Sequence, residues 1–400
     1  MLDMKICIAG KANIAIEVCD YILQTYSNVE LFAIKNQNDF GVNRSQRSFA
    51  RYVNSAKRIK MIQLEDAYMI EDLIFLSLEF DRIVKPHLFK TKSLYNIHFS
   101  KLPEYKGMYT AALPILHGAK QSGVTLHCID AGIDTGEIIA QTVYDIKPDD
   151  TSERIYNRNI QLGTELVISN LSNLVDGNVS SSPQCSVEST YYSKKTIDYN
   201  NLVINLQSTA YQIDAQIRAF NFRQYQLPKV NTYPIVYTEI TQERSSFKVG
   251  TVLEDTELYL KIATIDYDMF LYKDRLEEII NYCKNNDLKS LQLVANLHYF
   301  VNLHNKEYGW TPLMVAAYNN SCSIVKYLIE NGADVNAVNY NGTTPLMYAK
   351  DAVIKYGETK VLDLLLKAGA DRYIKDYDGK DVFCYVIDQS TKIYNYLKDN

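Results

Sequence analysis

Asn96, His98 and Asp134 are the residues of this 400-residue chain whose types and order could do chemistry. An amide beside an imidazole can hold the oxyanion of a tetrahedral intermediate. A carboxylate can orient and charge the imidazole and help carry off an amine's proton. Such a set suits transfer of a formyl group to an amine. Taken singly, each has a plainer reading: a turn asparagine, a surface histidine, a helix-capping aspartate. Three flanking blocks in order weigh against those readings. They are Tyr95-Asn-Ile-His-Phe-Ser-Lys-Leu-Pro-Glu-Tyr-Lys-Gly107, Gly123-Val-Thr-Leu-His127 and Asp130-Ala-Gly-Ile-Asp134-Thr-Gly136.

Elements that could position these residues are legible upstream. Residues 5–9 read as a buried strand, Gly10-Lys-Ala-Asn13 as a turn, and Ile14–Tyr26 as a helix with Ile16, Cys19, Ile22 and Leu23 on one face. Apolar runs follow at Leu31–Ile34, Asp72–Ser77 and Leu94–Ile97. Strands alternating with helical segments predict a parallel sheet covered on both faces. Ligands of such sheets sit beyond the carboxyl ends of strands, where Asn96, His98 and the loop after Ser77 fall. No Gly-x-Gly-x-x-Gly follows the first strand, so a dinucleotide is not indicated. Residues 151–174 read as one amphipathic helix and 177–190 as a Gly-, Ser- and Pro-containing connector. A helical stretch ends near Ile217–Phe220, and short alternating runs from Pro228 to Ile262 predict hairpins.

The last third repeats itself. Gly309-Trp-Thr-Pro-Leu-Met-Val-Ala-Ala317 recurs as Gly342-Thr-Thr-Pro-Leu-Met-Tyr-Ala349, an offset of 33 (309 to 342). Asn331-Gly-Ala-Asp334 recurs as Ala368-Gly-Ala-Asp371, an offset of 37 (331 to 368), which places a few extra residues near 352–358. Leu276–Val301 reads as a degenerate first repeat and Gly379–Leu397 as the terminal one. A period of 33 with Thr-Pro-Leu and Gly-Ala-Asp closely resembles ankyrin repeats.

Composition narrows the function classes. The chain is 47% hydrophobic with net charge −5, which argues against a basic nucleic-acid surface. Seven scattered cysteines without metal-ligand spacing suit a reduced compartment and predict neither a disulfide framework nor a metal site. No apolar stretch approaches the roughly 20 residues of a membrane span, and the opening run has no leader pattern.

The three blocks resemble the folate-dependent formyltransferases, whose pattern is Asn-x-His-x-Ser-x-Leu-Pro-x-Tyr-x-Gly, then Gly-Val-Thr-x-His, then Asp-x-Gly. Phe99 departs from the proline usual after the histidine. That puts the local loop shape in question more than the chemistry. The resemblance implies an α/β Rossmann-like domain with a mostly parallel sheet over 1–200. It implies a helix plus β-hairpin region over 201–265, and an all-α ankyrin array over 266–400. It implies 10-formyltetrahydrofolate as co-substrate and no metal. Asn96, His98 and Asp134 would be catalytic, with His98 acting as base or as oxyanion stabiliser. His127 would be a structural histidine near the site.

The donor's pterin would meet backbone near Phe80, Arg82, Ile129 and Ala131, together with Asp134; for Phe80 and Ile129, simple packing is the rival reading. Among the family, the sugar N-formyltransferases fit best. The implied acceptor is a dTDP-linked 3-amino-3,6-dideoxy- or 4-amino-4,6-dideoxyhexose on the way to the O-antigen of lipopolysaccharide. Lys11, Tyr109, Arg218, Phe222 and Tyr225 would contact it. A cytoplasmic homodimer is expected. Methionyl-tRNA or another amine is the alternative acceptor, and an ankyrin scaffold with an inactive front domain is the alternative class. The array could bind a protein, or a small molecule in an aromatic pocket of Trp310, Tyr308 and Tyr340.

Overall fold

The structure, a computed structural model, describes residues 4–386 and 391–399. The chain divides into two compact units, the first reaching Tyr272 and the second beginning in earnest at Lys273. The first holds strands β1 (Met4–Gly10), β2 (Val29–Lys35), β3 (Ile59–Met61), β4 (Leu73–Leu78), β5 (Leu94–His98), β6 (Lys106–Gly107), β7 (Gln121–Cys128) and β8 (Ile138–Asp145). Then come β9 (Tyr191–Tyr192), β10 (Lys229–Val230), β11 (Tyr233–Ile240), β12 (Val252–Asp255), β13 (Tyr259–Ile262) and β14 (Met269–Lys273). Its helices are α1 (Ala12–Thr25), α2 (Phe49–Ser55), α3 (Leu64–Tyr68), α4 (Leu113–Leu116), α5 (Ser152–Val175) and α6 (Ala210–Phe220).

Seven strands form one sheet in the order β3-β2-β1-β4-β5-β7-β8. It is parallel through β5, and β7 and β8 run antiparallel to their neighbours. Ile6, Cys7, Ile8 and Ala9 are all fully buried, as a central strand covered on both faces requires. On one face α1, α2 and α5 pack through Ile14, Val18, Phe49, Val167 and Leu171; on the other, α3 packs with Phe75 and Phe89. The strand order reverses between β1 and β4, which opens a crevice at their carboxyl ends. Gly10 sits there. A Cβ on it would lie 1.8 Å from the Leu78 carbonyl oxygen, so only glycine lets the two strand ends approach.

The hairpin region is larger and less separate than the sequence suggests. Its five strands run β10-β11-β14-β13-β12, so the sheet extends to Lys273, past the expected boundary at 265. Met269, Leu271 and Lys273 alternate inward, the period of a strand, after a turn that interrupts the pattern at 263–268. Its core is also shared with segments ahead of 201: Leu113, Ile115 and Ile155 pack with Ile213, Ile217, Ile235, Leu260 and Leu271.

The second unit contains α7 (Leu276–Lys284), α8 (Leu288–Gln292), α9 (Pro312–Tyr318), α10 (Cys322–Glu330), α11 (Pro345–Tyr356), α12 (Lys360–Lys367), α13 (Val382–Val386) and α14 (Thr391–Asp399). The Thr-Pro-Leu repeat is a helix start. Thr311 and Thr344 accept the Met314 and Met347 N–H groups at 3.3 Å, and Pro312 and Pro345 open α9 and α11. The extra residues of the second repeat lengthen its first helix: α11 has 12 residues where α9 has 7. Within the expected terminal repeat, residues 387–390 lie outside the described residues.

Candidate active site

The site is built where β5 ends. Antiparallel pairing places Asn96 opposite His127 and His98 opposite Thr125. Asn96 Nδ2 donates to His127 Nε2 at 3.0 Å, while His127 Nδ1 donates to the Cys128 carbonyl at 2.8 Å. His127 therefore orients the Asn96 amide, leaving the second amide hydrogen for a ligand. Thr125 Oγ1 donates to the Ser100 carbonyl at 2.7 Å and accepts from Gln141, which fixes the loop leaving β5.

Asp134 comes from the loop between β7 and β8. Its Oδ2 lies 3.4 Å from His98 Nδ1 and its Oδ1 3.7 Å from His127 Nε2, and the Gly107 N–H donates to Oδ2 at 2.9 Å. Gly107 has φ +86°, and a Cβ there would meet the Tyr192 carbonyl at 2.3 Å. On its other side, His98 Nε2 donates to the Tyr105 carbonyl at 2.9 Å.

His98 is 8% exposed. Burial, the largest influence, lowers its pKa, against the Asp134 carboxylate and the Tyr105 carbonyl, which raise it. Nε2 is bonded to the Tyr105 carbonyl and Nδ1 faces Asp134, so a proton gained at Nδ1 meets the carboxylate directly. Burial pushes the Asp134 carboxyl up, but His98, His127 and the Gly107 N–H outweigh it and hold the group at about 2. The pair can take up a proton between Nδ1 and Oδ2 without leaving a bare charge.

Residues 77–82 leave β4 as the second wall. Asn36 is 2% exposed and pins this loop, donating to the Glu79 carbonyl at 2.8 Å and accepting from the Asp81 N–H at 3.3 Å. Phe80 and Ile129 both pack on the core beside Phe89 and Leu94, Arg82 lies 5.0 Å over the Phe80 ring, and Ala131 is exposed.

The substrate-side expectations divide. Lys11, Phe222 and Tyr225 come together around two residues the sequence reading passed over. Glu79 pairs with Lys11 at 3.4 Å and accepts from the Tyr156 hydroxyl at 3.0 Å. Tyr156 lies 5.4 Å from the Phe222 ring, which meets Tyr225 at 4.7 Å. Glu79, more than any other influence, raises the Lys11 pKa, and it also raises that of His98.

Arg218 and Tyr109 lie outside this cluster of contacts and carry local hydrogen bonds. Arg218 is engaged by Asp214 at 2.7 Å and by the Asp150 carbonyl at 3.1 Å. The Tyr109 hydroxyl holds the Lys194 and Ile197 carbonyls at 2.8 and 3.1 Å. Both side chains thus secure local structure as well, which residue type alone does not reveal.

In the second unit, Trp310 Nε1 donates to the Tyr348 hydroxyl at 2.7 Å, and Tyr308 lies 5.0 Å from the Trp310 ring. Tyr340 departs from the expected pocket. It is 7% exposed, packs against Gly309 and donates to the Asn305 carbonyl at 3.0 Å. Tyr348 takes its place beside the tryptophan. Among the described residues there is no His, Cys, Asp and Glu grouping that could hold a metal ion.

Comparison with known proteins gives two family matches: formyl transferase over residues 34–171 and ankyrin repeats, three copies, over 279–393. An N-formyltransferase from Helicobacter canadensis, solved with folinic acid and dTDP-3-aminofucose, is 40% identical with TM-score 0.63. The match covers 68% of this chain and all of that one. WlaRD, a sugar 3N-formyl transferase solved with dTDP and 5-N-formyl-THF, is 38% identical with TM-score 0.62, over 68% of this chain and 98% of that one. A methionyl-tRNA formyltransferase from Coxiella burnetii is 24% identical over 278 residues, covering 66% of this chain and 87% of the relative.

Proposed function

The chain belongs to the N-formyltransferases, and on that premise we propose that it moves the formyl group of 10-formyltetrahydrofolate to the 3-amino group of a dTDP-linked 3-amino-3,6-dideoxyhexose. The observation that carries the reading is the buried His98–Asp134 pair beside a His127-oriented Asn96, at the open end of β5. The 3-amino position, over the 4-amino alternative, is supported by two relatives at 40% and 38% identity, one bound to dTDP-3-aminofucose and one a sugar 3N-formyl transferase.

In this mechanism the neutral amine attacks the formyl carbon, and the carbonyl π pair moves to oxygen. The free Asn96 amide hydrogen donates to that oxyanion. The proton lost by the nitrogen passes to His98 Nδ1 and is stabilised by Asp134. Collapse breaks the bond to N10 of the folate, which takes that proton back from His98 as it leaves, giving tetrahydrofolate, the N-formyl sugar and the original His98. Lys11, Tyr156, Phe222 and Tyr225 would line the nucleotide-sugar side, and backbone near Phe80, Arg82, Ile129 and Ala131 the pterin side. The product would serve O-antigen assembly from the cytoplasm.

The net charge of −5 and the ankyrin repeats in place of a basic appended domain favour this acceptor over methionyl-tRNA. A homodimer is supported by the open edges β10 and β12 of the five-stranded sheet, and light scattering would test it. The array would bind a partner or a small ligand beside Trp310; Trp310→Ala with unaltered binding and kinetics would remove the small-ligand form.

The decisive experiment is formyl transfer to a panel of dTDP- and UDP-amino sugars and to methionyl-tRNA. Turnover of a 3-amino member, lost in Asn96→Ala and His98→Ala, is expected. Turnover of the tRNA alone would overturn the assignment.

A further inference from the structure

The stretch 177–190, a connector by composition, reaches both sides of His98. Gln184 Nε2 donates to the Asp134 carbonyl at 2.9 Å and to the Gly136 carbonyl at 2.7 Å. Its amide has one workable orientation, because a flip would set its oxygen against two carbonyl oxygens. Asp134 needs such a hold: it has φ +54°, a left-handed conformation that costs a non-glycine residue about 1 kcal/mol or more. The Asp134 carbonyl and carboxylate spring from one residue, so fixing its peptide fixes where the carboxylate begins.

A few residues on, the same segment holds the other partner of His98. Thr190 Oγ1 accepts the Tyr105 N–H at 2.7 Å, the Thr190 carbonyl accepts the Lys106 N–H at 3.0 Å, and the Thr190 N–H donates to the Pro103 carbonyl at 3.2 Å. β9 then pairs with β6 beside Gly107, the donor to Asp134. One strap thus ties down the partner at each nitrogen of the imidazole: Tyr105 at Nε2 and Asp134 at Nδ1.

We propose that Gln184 is a positioning residue for formyl transfer, holding the Asp134 loop from behind so that the carboxylate stays registered on His98. It touches neither reactant. The inference rests on His98 and Asp134 being the proton-accepting pair proposed above. A displacement of about 1 Å at such a pair can cost on the order of a hundred-fold in rate.

The test uses Gln184→Met, which keeps the side chain's length and removes both donors, and Thr190→Val, which removes the tie at Tyr105. For each, kcat, both KM values, the melting curve and the NMR titration of the His98 ring are measured on the full chain. With the melting curve preserved, kcat of Gln184→Met should fall about 10- to 100-fold while both KM values hold within about two-fold. His98 should titrate lower than in the wild type, because Asp134 raises its pKa alongside Glu79 and the Tyr105 carbonyl and against His127. Thr190→Val should show the same loss of kcat through the other nitrogen.

Wild-type kcat in Gln184→Met, or a reduced kcat with an unmoved His98 titration, would overturn the assignment. Should the wild type turn over no acceptor, the substrate reading fails. The titration needs no substrate and still decides: lowered supports the strap, unchanged removes it.

Discussion

The two units are assembled by opposite rules. The proposed active site draws Lys11, Glu79, Asn96, His98, His127, Asp134 and Tyr156, with Gln184 behind them, from across the first unit, through strand register and loop ties. The second unit binds each repeat to the next with the same bonds one period on. Asn302 donates to the Gly332 carbonyl at 2.9 Å and accepts the Asp334 N–H at 2.7 Å. Asn336 does the same to Gly369 and Asp371, at 3.2 and 2.7 Å. A nearest-neighbour array grows by adding units and tolerates the longer α11. A site made of distant residues has no such tolerance, because each loop fixes a group that another loop needs.

If that contrast is right, single losses in the first unit should act on rate and single losses in the second on stability. The largest effects should come from Asn96→Ala and His98→Ala. Each is expected to lower kcat by about 100- to 1000-fold, with melting of the second unit unchanged and His98→Ala also lowering that of the first by leaving part-buried Asp134 without its partner, read by initial rates and calorimetry. Near wild-type turnover in either would break the comparison at its first term. Next, Leu328→Ala in α10, fully buried, should cost the array roughly 2–5 kcal/mol in urea unfolding and leave kcat unaltered. A parallel fall in kcat would show the units are energetically joined.

Acid should single out the first unit. The folded pKa of Asp134, about 2, lies below its ordinary 3.8, so this contribution is present above pH 3.8 and lost as pH falls toward 2. It amounts to roughly 2 kcal/mol. His98, its folded pKa lowered below 6.5 by burial, acts in the same direction, since the unfolded chain takes the proton first as pH falls. Asp134→Asn should flatten the stability profile of the first unit between about pH 4 and 2; a profile identical to wild type would count against the buried pair. The smallest effect expected is from Thr311→Ala and Thr344→Ala, each about 1 kcal/mol of array stability for a lost helix cap. Clearly unequal costs would mean the two repeats do not share one cap energy.

The sequence by itself determined the period of each element, the order of the catalytic blocks and the repeat. These are carried by residues close in the chain: the buried run Ile6–Ala9, the Asn96–His98 strand end, the Thr-Pro-Leu helix starts. Only the tertiary structure decided that His127 orients Asn96, because that follows from the antiparallel register of β5 and β7. It also decided that Lys11 and Tyr156 meet at Glu79, that Arg218 and Tyr109 bond to nearby carbonyls, and that Tyr340 is buried beneath Gly309 where Tyr348 meets the tryptophan. A segment that reads as linker became the strap behind Asp134. The physical reason is common to all of them. Periodicity is a property of neighbours along the chain, whereas hydrogen-bond partners of buried polar groups are settled by whichever distant segment packing brings within reach.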